Sequence, residues 1–532
     1  MTNSEIAKLL SRTADLLEIK GENPFKVRAY RNAARLIENS SKNFEKLVKE
    51  GFDLTRLPGI GHDLSEYIKE IVTTGRFSKL DELQKEIPPG LVDMLSIEGL
   101  GPKRIKQIYE AFHITSLDEL KKYAESGELD KLPGFGPKLI EKILKGVKQL
   151  KKAGIRFLWA DVEDIAEEIR EYLLKFPGVE IVEIAGSYRR KKETVGDLDV
   201  LVIAKDYPKV SEYFIKFPKI KEVHSAGLTR STVFLENDLQ VDLRAVSKES
   251  YGAALHYFTG SKSHNIEIRK IAIEKGLKVN EYGVYRGIEK IAGATEEEVN
   301  RAVGMSYIEP ELRENRGEIE AAMKGVLPKL ITLNDIKGDL NLNISSKEVI
   351  QKAKELGYEY IGIKELKKNF RYKKIKVLKV QEVEILEDGS IKDIDKRADL
   401  IIGVIKDFNE KDQTKRIIKS FDFIDILAHP TNRIIQQKSG LKANWGEIFE
   451  ASLEKRVVFE VNSNPRRLDL NDVLIKQAKE IGAKIVINSF ASSLKELKNI
   501  KYGLNQARRG WAEKEDVINS LSVDELFEFF NK

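Results

Sequence analysis

The hydrophobic rhythm of the chain changes twice. Over the first 150 residues apolar positions recur at helical spacing: Ile6, Leu9, Leu10, Leu16 and Leu17, then Ala29, Ala33, Ala34 and Ile37. In the middle, two apolar runs at 181–185 and 196–203 read as strands, the first ending in a Gly-Ser turn at 186–187, and a third run follows at 239–244. From Asp335 onward, short apolar runs at 360–363, 400–404, 424–427, 457–461 and 484–487 alternate with helical stretches. That βα rhythm predicts a parallel, barrel-like C-terminal fold. The expectation is therefore a multidomain protein: helical first, α+β in the middle, α/β at the end.

Within the helical third one short pattern recurs three times: Leu57-Pro-Gly-Ile-Gly61, Ile97-Glu-Gly-Leu-Gly101 and Leu132-Pro-Gly-Phe-Gly136, each followed by an amphipathic helix. Glycines 59, 61, 99, 101, 134 and 136 permit positive φ and leave no side chain in the way. The amides opening each second helix then point outward, where they hold a phosphate without reading a base. A single copy is an ordinary helix–turn–helix connection; three copies point to a polyanionic backbone as partner.

The middle third carries acids. Asp197 and Asp199 lie two apart on one strand, so they share a face, and Asp242 arrives on another strand. Adjacent carboxylates repel unless a cation lies between them. Three of them on one face suit two hard divalent cations, and such a pair suits in-line phosphoryl transfer. Ser187 and Arg190, on the preceding turn, supply a hydroxyl and a guanidinium for a triphosphate.

Composition narrows the choices. The chain has 532 residues, 41% hydrophobic and 33% charged, a globular balance with length for three to five domains. Zero Cys excludes disulfides, zinc knuckles, iron–sulfur clusters and a thiol nucleophile. The net charge of +6 permits a nucleic-acid partner without arguing for one. No apolar run approaches the roughly 18 residues of a membrane span, and the opening MTNSEIAKLLSRT lacks a signal-peptide pattern, so a cytoplasmic protein without membrane association is expected.

With these residues in view, the sequence resembles a family X DNA polymerase of the nucleotidyltransferase superfamily. The run from Gly186 to Val202, Gly-Ser-Tyr-Arg-Arg-Lys-Lys-Glu-Thr-Val-Gly-Asp-Leu-Asp-Val-Leu-Val, is similar to the family's palm motif, and Tyr257-Phe-Thr-Gly-Ser261 to its thumb motif. The resemblance implies that Asp197, Asp199 and Asp242 hold two Mg²⁺, with Mn²⁺ able to substitute, and that Asp242 assists deprotonation of the primer 3′-OH. It implies a dNTP site built from Gly186, Ser187, Arg190, Gly196, Tyr257, Phe258, Gly260 and Asn265, with Tyr257 and Phe258 against the sugar and Asn265 at the minor-groove edge of the base. Arg269 would face the template.

Asn23-Pro-Phe-Lys-Val-Arg-Ala-Tyr-Arg-Asn-Ala-Ala34 resembles the part of the family's N-terminal domain that holds a 5′-phosphate, with Lys26 and Tyr30 as candidates. Many relatives use a Schiff-base lysine in the helix after the first hairpin. Here Tyr67 stands in its place, which a Schiff base cannot use, so efficient lyase activity is not expected even with Lys69 and Lys79 nearby.

The implied layout is a small DNA-binding, lyase-like domain at 1–80, a fingers-like helix-hairpin-helix domain at 81–150, a palm at 151–245, a thumb at 246–315, a linker at 316–335 and a distorted (β/α) barrel of PHP type at 336–532. An active PHP domain binds a metal cluster mainly through His and works as a 3′–5′ exonuclease or phosphoesterase. Here the matching positions read Asn341-Leu-Asn343, Lys364-Glu-Leu366, Ile405 and Phe490-Ala-Ser492; Glu382 and His429 remain, with Glu365 as a stand-in. From residue 265 to the end there is one His and no Cys, so no PHP metal cluster and no nuclease are expected.

The expected activity is filling of short gaps during DNA repair, with gapped or primer-template DNA and dNTPs as partners and a monomer as the working form. Three alternatives stay open. A DNA-gap-binding scaffold would bind without incorporating. A polymerase–nuclease would keep one metal at the C-terminal site. A small-molecule nucleotidyltransferase would have no use for three DNA-type hairpins.

Overall fold

The computed structural model describes residues 3–38, 40, 44–153, 155–364, 375–407 and 411–532. They form two compact units, Met1–Ile155 and Arg156–Lys532. No helix among the described residues is long and apolar enough to cross a membrane.

The first unit is helical throughout, around a core from Ile6 to Val147. Its three glycine turns share one geometry. Gly59, Gly99 and Gly134 adopt φ of 86°, 91° and 84°, a region open to glycine at no steric cost. The next residue in each copy, Ile60, Leu100 or Phe135, donates its N–H back to the Leu57, Ile97 or Leu132 carbonyl and buries its side chain. The turn is thus anchored by one apolar residue and leaves its glycines outside. Within the second copy Arg104 donates to the Gly99 carbonyl at 2.7 Å, and copies two and three are bridged by Lys142, which pairs with Glu98 at 2.5 Å.

The second unit begins with a palm-like sheet. Strands β1 (Phe157–Leu158), β2 (Val179–Ile184), β3 (Thr194–Val195), β4 (Asp197–Ala204), β5 (Ile220–Ala226), β6 (Arg230–Leu235) and β7 (Gln240–Val246) include a five-stranded sheet in the order β2-β4-β7-β6-β5. Only β4 and β7 run parallel in it. The helices Trp159–Leu174 and Tyr207–Phe214 cover its apolar face. The stretch expected as a turn at 186–187 is one turn of helix, Gly186–Arg189. The thumb-like part contains helices Tyr251–Thr259, Lys262–Glu274 and Glu296–Ala302 with a small sheet, β8 (Lys278–Asn280), β9 (Gly283–Arg286) and β10 (Glu289–Ala292). The 316–335 stretch, read as a linker, carries helix Glu318–Lys324, whose fully buried Glu318 accepts a bond from His264 in the thumb at 2.8 Å.

The C-terminal part is a parallel sheet in strict chain order: β11 (Gly338–Leu342), β12 (Tyr360–Lys364), β13 (Lys376–Glu384), β14 (Leu400–Val404), β15 (Ile426–Leu427), β16 (Val458–Asn462) and β17 (Ile485–Asn488). Its edges meet through a side chain: the Leu340 N–H donates to Asn488 Oδ1 at 2.9 Å, and just beyond, the Asn343 N–H donates to the Ala491 carbonyl. The result is a nearly closed barrel, as the βα rhythm predicts. Alternate positions separate two cores. Ile361, Ile363, Val383, Phe459 and Ile487 pack outward on the helices, while Tyr360, Leu378, Val380, Val458 and Val486 fill the interior, which Leu526 and Phe530 plug.

Candidate active site

Strand register brings the aspartates together. Asp199 on β4 is the direct partner of Asp242 on β7, and Asp197 lies on the same face of β4 as Asp199. The cluster is electrostatically strained. Burial, reinforced by Asp197 and Asp242, pushes Asp199 up to about 7, and burial together with Asp242 raises Asp197. Asp242 is turned to its own strand neighbours, accepting bonds from Thr232 Oγ1 and, at 2.9 Å, Gln240 Nε2, with Arg230 at 3.6 Å. As they stand, no three acidic or histidine side chains among the described residues converge tightly enough to hold an ion. The donor set nevertheless fits hard divalent cations: three carboxylates on one face of two adjacent strands, with mutual repulsion that a cation would cancel.

Beside the aspartates opens a cavity of about 530 Å³. Gly186, Ser187, Arg190, Asp197, Asp199, Tyr257, Phe258, Gly260, Asn265 and Arg269 line it, all expected from the sequence. Gly196 lies just behind the wall; a Cβ there would stand 3.2 Å from Arg156 Nη1. Two glycines have steric reasons. At Gly186, with φ 63°, a Cβ would come within 2.9 Å of Asp199 Oδ2; at Gly260, with φ 68°, it would come within 3.2 Å of Arg190 Nη1. Three further wall residues were missed: Arg156, Lys192 and Lys262. Arg156 and Lys262 lie outside the quoted motifs, and Lys192, inside the run from Gly186 to Val202, is not set apart there from its neighbour Lys191. Only the fold reveals that Arg156 is pinned beside the palm motif by bonds to Thr194 Oγ1 and the Thr194 carbonyl at 2.9 and 2.7 Å. The cavity therefore sets five cations against two carboxylates at its wall, a balance suited to a polyphosphate.

The Tyr257 and Phe258 rings meet edge to face at 5.1 Å. Arg269 lies 6.0 Å from the Tyr257 ring, and Arg244 lies 4.3 Å from that of Phe258. Asn265 donates to the Tyr257 carbonyl at 2.7 Å, which fixes its amide at the cavity wall.

In the first unit, a methyl group placed on Gly61, Gly101 or Gly136 would meet nothing within 4 Å, so the backbone that opens each second helix stands at the surface. Lys26 is also at the surface, paired with Glu22 at 3.2 Å. Tyr30 is not: its ring is 3% exposed and stacks on Tyr67, so the side chain proposed for phosphate contact serves the core. Tyr67 in turn packs against Phe77.

At the C-terminal rim of the barrel the interior face turns polar. Lys364, Glu382, Glu460, Asn462 and Asn488 continue the positions that are apolar deeper inside. They form one connected chain. Lys364 is ion-paired with Glu382 and sits 4.7 Å from the Phe490 ring, and Phe490 meets His429 edge to face at 4.6 Å. His429 Nδ1 lies 3.1 Å from Glu460, whose other oxygen accepts from Asn341 and Asn488 at 2.6 and 3.0 Å. Burial alone would raise Glu460, but His429 and these amides outweigh it and hold the carboxyl down at about 2. An ammonium, amides and a phenyl ring are poor company for a metal cluster, and both carboxylates already have partners. Glu365 lies outside the described residues.

Comparison with known families places these features. The DNA polymerase beta palm matches residues 159–274, the DNA polymerase beta thumb residues 254–314, a helix-hairpin-helix domain residues 1–77 and a helix-hairpin-helix tandem residues 91–149. The chain is 34% identical to the DNA polymerase/3′-5′ exonuclease PolX of Bacillus subtilis over 575 aligned positions, covering 100% of both. It is 27% identical to DNA polymerase lambda of Arabidopsis thaliana over 58% of its length and 62% of that protein, and 27% identical to the Rattus norvegicus counterpart over 52% and 51%.

Proposed function

Because the chain belongs to the family X DNA polymerases, we propose that it fills short gaps in DNA by two-metal nucleotidyl transfer and lacks both exonuclease and efficient lyase activity. The observation that carries the reading is the Asp199–Asp242 pairing beside a cation-walled cavity.

In this reading Asp197, Asp199 and Asp242 would hold two Mg²⁺, and Asp242 would assist deprotonation of the primer 3′-OH. Once bound, the ions would ease loss of the hydroxyl proton and neutralise the triphosphate. The protein's own part is positioning. Ser187 and Arg190, joined by Arg156, Lys192 and Lys262, bind the phosphates. Tyr257 and Phe258 back the sugar, Asn265 meets the base edge and Arg269 the template. The surface glycine turns of the first unit hold DNA phosphates through backbone amides.

Two structural features support the missing activities. Lys364, Asn341 and Phe490 stand where the resemblance puts metal ligands, and Lys364 already neutralises Glu382. A lyase needs a neutral amine, but Glu82 raises the pKa of Lys79 and so keeps it charged, while Lys69 is paired with Glu66 at 2.8 Å.

One gel tests the polymerase and exonuclease readings together. A 5′-labelled primer bounds a one-nucleotide gap with a downstream 5′-phosphate, incubated in Mg²⁺ or Mn²⁺ with and without dNTPs. One-step lengthening with dNTPs and an intact primer without them is expected. Shortening without dNTPs would restore the nuclease; a primer unchanged in every lane would make the chain a DNA-binding scaffold.

A further inference from the structure

Behind the nucleotide cavity, a buried arginine of the barrel meets a carboxylate of the thumb segment. Glu314, at the end of the thumb segment, accepts a bond from Arg190 Nε at 3.0 Å and lies 3.9 Å from Lys192. Both cations belong to the cavity wall. The same Glu314 oxygen accepts from Arg509 Nη1 at 3.2 Å, and that Nη1 also donates to the Arg190 backbone carbonyl at 2.7 Å. Arg509 is 3% exposed and comes from the barrel helix Ile500–Arg509, more than 300 residues further along the chain. Its remaining arm donates to Asp472 at 2.6 Å, which also accepts from Arg316 at 3.0 Å. The segment has no slack: a Cβ on the next residue, Gly510, would meet Ile475 Cγ2 at 2.4 Å.

Arg190 itself has little freedom. Its Nε goes to Glu314 and its Nη1 to the Thr259 carbonyl, so Nη2 is the group left for a ligand in the cavity among the described residues. The aim of Nη2 therefore depends on where Glu314 is held, and Arg509 holds it.

We propose that Arg509 is a positioning residue for the nucleotide site: through Glu314 and the Arg190 carbonyl, the barrel sets the aim of the guanidinium that grips the triphosphate. This rests on the reading of Arg190 as a phosphate ligand. It gives the barrel a task in polymerisation, as a rigid brace behind the cavity. The alternative of a purely structural contact predicts a different kinetic signature.

The test is single-nucleotide incorporation on gapped DNA by the full chain carrying Arg509→Lys, Arg190→Ala or both. A lysine keeps the charge but cannot hold Glu314, Asp472 and the Arg190 carbonyl together. KM for dNTP is expected to rise roughly tenfold in Arg509→Lys with kcat changed less than about threefold, as loss of a charge-assisted bond implies. Affinity for gapped DNA should not change. Preference for deoxynucleoside triphosphate over diphosphate as competitor should fall in parallel. In the Arg190→Ala background, Arg509→Lys should add less than about twofold, because it acts through Arg190. Multiplying losses in the double variant, or an unchanged KM in Arg509→Lys, would overturn the proposal while leaving the site reading intact. An unchanged KM in Arg190→Ala would instead overturn the phosphate-ligand reading. If Arg509→Lys lowers the melting temperature, Glu314→Gln asks the same question from the other end of the contact, with the same KM rise expected and an unchanged KM counting against the brace.

Discussion

Asp199→Asn is expected to lower the rate of single-nucleotide incorporation by more than about 10³-fold while leaving affinity for gapped DNA within about twofold. Asp199 is the hub of the cluster: Asp197 shares its face of β4, Asp242 is its partner across to β7, and Gly186 is a glycine because Asp199 Oδ2 fills the space a Cβ would take. An amide there keeps the shape and removes the anionic oxygen. DNA affinity is expected to survive because, in the proposed reading, the turns around Gly61, Gly101 and Gly136 would bind through backbone amides that the substitution does not touch. A second readout separates lost chemistry from lost folding. The Asp199 carboxyl titrates near 7 in the folded chain, raised by burial and by Asp197 and Asp242 from an ordinary value of 3.8. The folded chain thus keeps a proton that the unfolded chain releases, and stability contributed by the neutral carboxyl is lost as pH rises from about 4 to about 7. In chelator at pH 8 the Asn variant should melt above the parent, and the difference should shrink at pH 5. Retained incorporation in this variant would sink the catalytic assignment.

The legible parts of the molecule were those where one residue type has one use. The repeated glycine turns could be read because Gly59, Gly99 and Gly134 each need positive φ, and the carboxylates because acids two apart on an apolar strand have no bland explanation in combination with a third. The barrel rhythm was legible for strands buried on both faces, such as 400–404 and 485–488. It was weaker for Lys376–Glu384, where lysines, a glutamine and glutamates interrupt the apolar run, and that strand was not among those read. The run at 424–427 shortens to Ile426–Leu427 because the Asp425 side chain takes the Ile401 N–H at 2.6 Å. What stayed hidden depends on contacts between distant residues. Arg156 and Lys262 reach the cavity from either side of the palm motif, and Arg509 of the barrel contacts Arg190 and Glu314 behind its wall. Tyr30 looked like a phosphate contact because its motif places it beside Lys26, yet the helix turns its ring into the core. A motif names residues; only packing decides which of them face solvent.

Glu296→Gln is expected to produce the largest loss of stability, about 3–5 kcal/mol, read as a fall in melting temperature of roughly 5–10 °C. Glu296 opens a thumb helix and is 5% exposed. It receives two bonds from Arg189, at 2.9 and 2.7 Å, and one from the fully buried Arg313 at 2.6 Å. Removing its charge leaves the buried Arg313 without a counter-charge and Arg189 with only Glu183 at 3.9 Å, far costlier than losing a surface ion pair. Arg313 Nη2 already lacks a partner, so the cluster has no spare acceptor to offer. The pH dependence follows. Burial would raise the Glu296 carboxyl, but Arg313 and Arg189 outweigh it and hold it at about 2, below an ordinary 4.5. The stability this gives is complete above pH 4.5 and is lost as pH falls towards 2. Melts from pH 7 down to pH 3 should therefore show the gap between parent and variant narrowing only below about 4.5. Because Arg189 belongs to the Gly186–Arg189 turn that carries Ser187, the same variant should also raise KM for dNTP; adding Arg189→Met, which removes one of the stranded charges, should recover part of the stability and none of the KM. A gap independent of pH would mean that Glu296 acts through packing alone.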